Sequence, residues 1–111
     1  MTDLSTLTRD LTAAARLATE AADRVADTGS CNCDGVFLRL RVKQDKAQEA
    51  IAAAGLSAVR IERHSWFGTG YLISPPTSVR GQANKRSTAV ATMYEHLDRQ
   101  GWDVSHWYQA D

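Results

Sequence analysis

Two stretches constrain the fold most: AAAGLSAVRI, residues 52–61, and DRQGWDVSHW, residues 98–107. In each, a helix-forming run ends at a glycine, a large apolar residue follows, and a new segment begins. Glycine just past a helix takes the left-handed conformation that other residues avoid, and the apolar residue behind it folds back on the last turn. Both stretches therefore read as helix-to-strand junctions. Each helix also has a strand before it. VFLRLRV, 36–42, alternates strictly, as a half-buried strand does. YLIS, 71–74, is closed by Pro75 and Pro76, which cannot donate to a ladder.

The chain thus holds two strand–helix–strand halves, joined by the hairpin RHSWFGTGYLIS at 63–74. That order predicts an α+β protein: a long N-terminal helix, then a ferredoxin-like βαββαβ core with a four-stranded antiparallel sheet. Right-handed crossovers put helices 46–54 and 84–100 on one face of the sheet. The opposite face is then open, or covered by the leading helix. At 111 residues one domain is expected, with a helix over 2–27, a linker over 28–35 and the core over 36–111.

In the leading helix Leu4, Leu7 and Leu11 give way to Ala14, Ala18, Ala21 and Val25 at the same 3–4 spacing. The leucine half suggests an oligomer contact through Leu4, Leu7 and Leu11. The alanine half suits close packing on the chain's own core. Thr2 and Asp45 are the expected N-caps of the first and second helices.

Strand parity nominates a binding face. Phe37, Arg39 and Arg41 share one side of the first strand. On a second strand from about 58 to 66, Arg60, Glu62, His64 and Trp66 oppose Val59 and Ile61. Aromatic rings stack on bases or fill partner pockets, and guanidinium groups pair with phosphate or carboxylate. VFLRLR resembles the first-strand motif of RNA-recognition motifs, with Phe37 at a stacking position. GTGYLIS is similar to their third-strand motif, with Tyr71 at another. Thr69, Ser74 and Phe67 depart from that pattern, so no family is assigned. The resemblance implies base stacking on Phe37 and Tyr71. A dimer interface, or burial under the first helix, would use the same side chains.

A second candidate is SVRGQANKRST, 78–88, where Arg80, Lys85, Arg86 and Ser87 gather at a helix start that can attract an anion. It lacks the glycine spacing of a phosphate-binding loop. Thirteen basic and thirteen acidic residues cancel, so a strongly basic nucleic-acid binder is not indicated. Cys31 and Cys33, one residue apart, lack the second close ligand pair of a zinc site, even with Asp34, His64, His96 or His106 added. No nucleophile motif accompanies Glu62–His64 or Glu95–His96, so no enzyme and no cofactor are expected. Neither a spanning segment nor a signal peptide is read, which suggests a cytoplasmic protein. The expected function is non-catalytic binding of nucleic acid or another polyanion. The alternative is an oligomeric assembly, adaptor or inhibitor protein that uses the same face and first helix for protein contacts.

Overall fold

The computed structural model describes residues 3–26, 34–76 and 83–107. The elements run α1 (Leu4–Asp23), β1 (Gly35–Arg39), α2 (Gln44–Ala53), β2 (Ala58–His64), β3 (Gly68–Ile73), α3 (Ala83–Arg99) and β4 (Asp103–Trp107). The four strands form one sheet in the order β2-β3-β1-β4, and every neighbouring pair is antiparallel. The molecule is α+β with a long leading helix, as the sequence predicts. Among the described residues no helix is long and apolar enough to cross a membrane.

The two repeated junctions are the same structure twice. After α2, Gly55 has φ 78°; its N–H donates to the Ala52 carbonyl at 2.9 Å, and Leu56 N–H donates to the Ile51 carbonyl at 3.1 Å. After α3, Gly101 has φ 91°; its N–H donates to Asp98 at 3.0 Å and Trp102 N–H to Leu97 at 3.1 Å. This pair of bonds satisfies carbonyls that the helix end leaves open, and the apolar follower closes over the last turn. Leu56 is buried and Trp102 packs against the core.

The helix starts differ from expectation. Asp3 caps α1, and Thr2 lies outside the described residues: the Asp3 carboxylate accepts from the Ser5 and Thr6 amides and from both hydroxyls. Those bonds favour the charged form and hold its pKa below the usual carboxylate value. Helix α2 starts one residue before Asp45, with Lys43 at the cap and no side-chain bond there. Asp45 falls in the first turn instead, where its negative charge suits the helix dipole.

One apolar cluster unites all three helices with one face of the sheet. It includes Leu7, Leu11, Ala14 and Ala18 of α1, Ala47 and Ile51 of α2, Val90, Met93 and Leu97 of α3, and Val36, Leu38, Tyr71 and Ile73 of the sheet. Helix α1 thus lies on the helix-bearing side and leaves the opposite face uncovered by any described helix. Leu7 and Leu11 have no exposed surface. They are core residues, and the expected oligomer contact through them is corrected: meeting a second copy would require opening the core. Leu4 is half-buried beside them, over a shallow cleft that Thr8, Lys46, Glu49, Ala50 and Ala53 also line.

Polar bonds fix the antiparallel pairing of α1 with α3. Near one end, Trp102 Nε1 donates to the buried Asp10 carboxylate at 2.9 Å. At the other, Lys85 Nζ donates to the Ala22 carbonyl at 2.8 Å and Asn84 Nδ2 to the Ala26 carbonyl at 2.9 Å. A cation on a carbonyl of the helix's last turn complements the helix dipole. Alanines at 14, 18 and 22 let the two helices approach closely.

Candidate binding face of the sheet

The uncovered face is assembled by register. Phe37 pairs with Leu72 and with Ser105, Arg39 pairs with Asp103, and Gly35 with Trp107. On the outer strand Val59 pairs with Leu72 and Ile61 with Gly70. Side chains of opposed residues share a face, so this side carries Phe37, Arg39, Leu72, Val59, Ile61, Ser105, Asp103 and Trp107.

That assignment corrects two expected site residues. Tyr71 pairs with Leu38 and Arg60 with Tyr71, so both belong to the helix-bearing side. Tyr71 is buried in the core and cannot stack a base. Arg60 donates from Nη1 to Gln44 Oε1 of α2 at 2.7 Å and pairs with Glu62 at 3.4 Å. The alternation predicted for β2 holds; its side was inverted, because Val59 and Ile61 are apolar without being core. His64 nevertheless reaches the uncovered face. An extra residue between Ile61 and His64 shifts the register, and Arg63 adopts φ 54° there. The left-handed conformation costs a non-glycine residue roughly 1 kcal/mol. The Arg63 N–H bond to Thr69 Oγ1, 2.9 Å, helps to hold it.

Beyond the bulge the turn folds back over the sheet and closes an aromatic cluster. Phe37 forms its floor and has no exposed surface. Phe67 lies above it at 5.3 Å between ring centroids, and Trp107 stacks on Phe67 at 4.9 Å and on Phe37 at 5.9 Å. His64 meets Trp107 edge-on at 4.9 Å. Its Nδ1 accepts from the backbone N–H groups of Trp66 and Phe67, at 3.0 and 3.2 Å, so it caps the turn and carries its proton on Nε2. Gly70 is required for space: a Cβ there would lie 2.7 Å from the Phe37 ring and 2.6 Å from the Leu38 carbonyl oxygen. Gly68, with φ 79°, is required for conformation.

Arg39 clamps this cluster. Its guanidinium sits 5.2 Å from the Phe37 centroid, within cation–π range. Nε donates to the Phe67 carbonyl at 2.8 Å, Nη1 to Asp103 at 3.0 Å and Nη2 to Ser105 Oγ at 3.0 Å. One planar fork thereby ties the hairpin turn to the far strand β4. Trp66, by contrast, is 88% exposed at the hairpin tip, and Val59 is 65% exposed on the outer strand. Arg41 is exposed beyond the end of β1.

The basic helix start is turned inward. Lys85 caps α1, and Arg86 Nε donates to the Asp34 carbonyl at 3.1 Å. Ser87 lies half-buried on α3. Arg80, Cys31 and Cys33 lie outside the described residues. Among the described residues no three His, Cys, Asp or Glu side chains gather where they could hold a metal ion. Asp34 and His106 do form a close pair, 3.9 Å apart, with the Tyr94 ring 6.1 Å from His106. Burial lowers the His106 pKa below 6.5, and the Asp34 carboxylate opposes that shift.

Sequence reasoning missed Phe67, Val59, Ile61 and Leu72 as members of the face. The usable signal was Gly70: a strand glycine beside an aromatic neighbour strand marks a place where a ring lies against the backbone. Comparison with family models, with curated proteins and with solved structures finds no match for this chain.

Proposed function

We propose that this protein is a non-catalytic binding module whose uncovered sheet face docks a protein partner. One observation carries the reading: Val59 and Trp66 are exposed beside an aromatic cluster that is already ordered, while the guanidinium of that face bonds to its own chain. Large side chains held rigid at low entropy cost are what protein interfaces use as anchors. Three of the cationic groups expected to meet an anion have other work, while Arg41 stays exposed. Lys85 and Arg86 bond to backbone carbonyls, and Arg60 bonds to Gln44.

The core is read as ferredoxin-like. Its support is the order of elements after α1, with β1 and β3 central and all neighbours antiparallel.

An anionic or nucleic-acid ligand is the second reading. Its support is the hairpin tip, where the exposed Trp66 could stack a base beside the exposed Arg63. Titration with single-stranded oligo(dT) and with heparin at low ionic strength, followed by tryptophan fluorescence, separates the two. Protein docking predicts an unchanged signal. A quench that weakens steeply with added salt would replace it with the anionic reading.

A further inference from the structure

Strand β2 is one edge of the sheet, and no described strand lies beyond it. Its backbone directions follow from one bond: Ser74 N–H donates to the Ser57 carbonyl, across the pair that continues the Ala58↔Ile73 register. Alternation along an antiparallel ladder then turns the N–H and C=O groups of Ala58, Arg60 and Glu62 outward. The edge is short, and the bulge at Arg63 ends it. Residues 58–62 are thus a template for one added strand.

We infer that this edge pairs with β2 of a second copy of the chain, about a two-fold axis through Ile61. Symmetry and charge select that register. An antiparallel two-fold across a sheet edge keeps like faces together, so opposed residues must have the same parity. Centring on Arg60 sets two arginines opposite each other. Centring on Glu62 sets two glutamates opposite each other. Centring on Val59 leaves Arg60 facing Ala58. Centring on Ile61 places Arg60 opposite Glu62 twice, and both are residues whose backbone groups point outward. Opposite charges on directly opposed residues stabilise a strand pair, and like charges destabilise it. Each Arg60 reaches along this edge already: its Nη2 lies 3.4 Å from Glu62 of its own chain, whose side chain is 64% exposed. Its buried Nε has no partner among the described residues. On the uncovered face the same register brings Ile61 against its copy; the exposed Val59 falls opposite Arg63, where the bulge ends the pairing, so the ladder spans residues 60–62 of each copy. This contact uses the edge of the sheet and not its face, so it stands apart from the protein-docking proposal.

Sedimentation equilibrium on the full chain at protein concentrations up to about 1 mM tests it. The expected result is a monomer–dimer equilibrium. Arg60→Glu alone and Glu62→Arg alone each put like charges opposite one another twice and weaken the dimer about tenfold. Mixing these two variants restores association, because every opposed pair is again complementary. The doubly swapped chain, Arg60→Glu with Glu62→Arg, dimerises as the native chain does and serves if either single variant unfolds. A native chain that stays monomeric throughout the range would overturn the inference. So would a dimer that neither single swap weakens.

Discussion

The two faces of the sheet are held by different physics. On the helix-bearing face, side chains from three helices and the sheet merge into one apolar cluster, and nearly every member is nonpolar. On the uncovered face, one phenylalanine is buried under a turn, a tryptophan and an arginine fork. Apolar packing is non-directional, so a helix face of roughly the right spacing suffices. The clamp is directional: it works only if a glycine stands at 70, a carbonyl at 67 and acceptors at 103 and 105. The first face makes the fold stable. The second makes a particular surface rigid, and leaves its outer parts free for contact.

This contrast can be broken from the core side first. Leu11→Ala removes a fully buried side chain from the centre of the cluster and should cost about 2–5 kcal/mol in denaturant unfolding. On the other face Gly70→Ala should cost about 1–3 kcal/mol, because its new methyl meets the Phe37 ring and the Leu38 carbonyl. Near-UV circular dichroism should report it, since Trp107 stacks on the displaced ring. Arg39→Lys keeps the charge but loses the fork. Only part of three bonds can be rebuilt, so a loss of about 1–2 kcal/mol is expected. Amide exchange should rise in the 64–68 turn and stay slow in α1 and α3. Faster exchange spread equally over both faces would show that the clamp is not local.

The smallest effect is a pH dependence. Burial lowers the His106 pKa in the folded protein, so the unfolded chain binds this proton more readily. The contribution to stability is therefore complete above pH 6.5 and is lost as pH falls through the lowered value. His106→Asn should flatten the fall of the melting temperature with acidification. An unchanged slope would assign it to other groups.

How much of this was legible in the sequence follows the same division. The two Gly-plus-apolar junctions fixed both helix ends and the order of the core, because a left-handed glycine and its follower are local chemistry. Alternation in 36–42 and from about 58 to 66 located β1 and β2, although β1 ends at Arg39 and β2 at His64, and it separated Val59 and Ile61 from Arg60. Which side faced the helices was not local. Parity gives two sides, and only pairing with Leu72 and Tyr71 says which is which. The bulge at Arg63 then returned His64 to the uncovered face, which no period-two pattern can foresee. The bonds of the basic cluster were hidden for a related reason: Lys85 and Arg86 sit near one another in sequence, but their acceptors at Ala22 and Asp34 are more than fifty residues away. Leu4, Leu7 and Leu11 looked like a seam for a second helix, and that helix proved to belong to the same chain.

The claim that the uncovered face docks a protein is tested most directly by photo-crosslinking in the host cell. A benzophenone amino acid replaces Trp66 at the hairpin tip, and in a control chain it replaces Ala52 on the exposed side of α2. The account predicts one discrete adduct from position 66, heavier than the chain by something other than a second copy. It should be abolished when Val59→Asp is added and kept when Ala52→Asp is added. An adduct that survives Val59→Asp, or equal labelling from positions 66 and 52, or none from either, would contradict it.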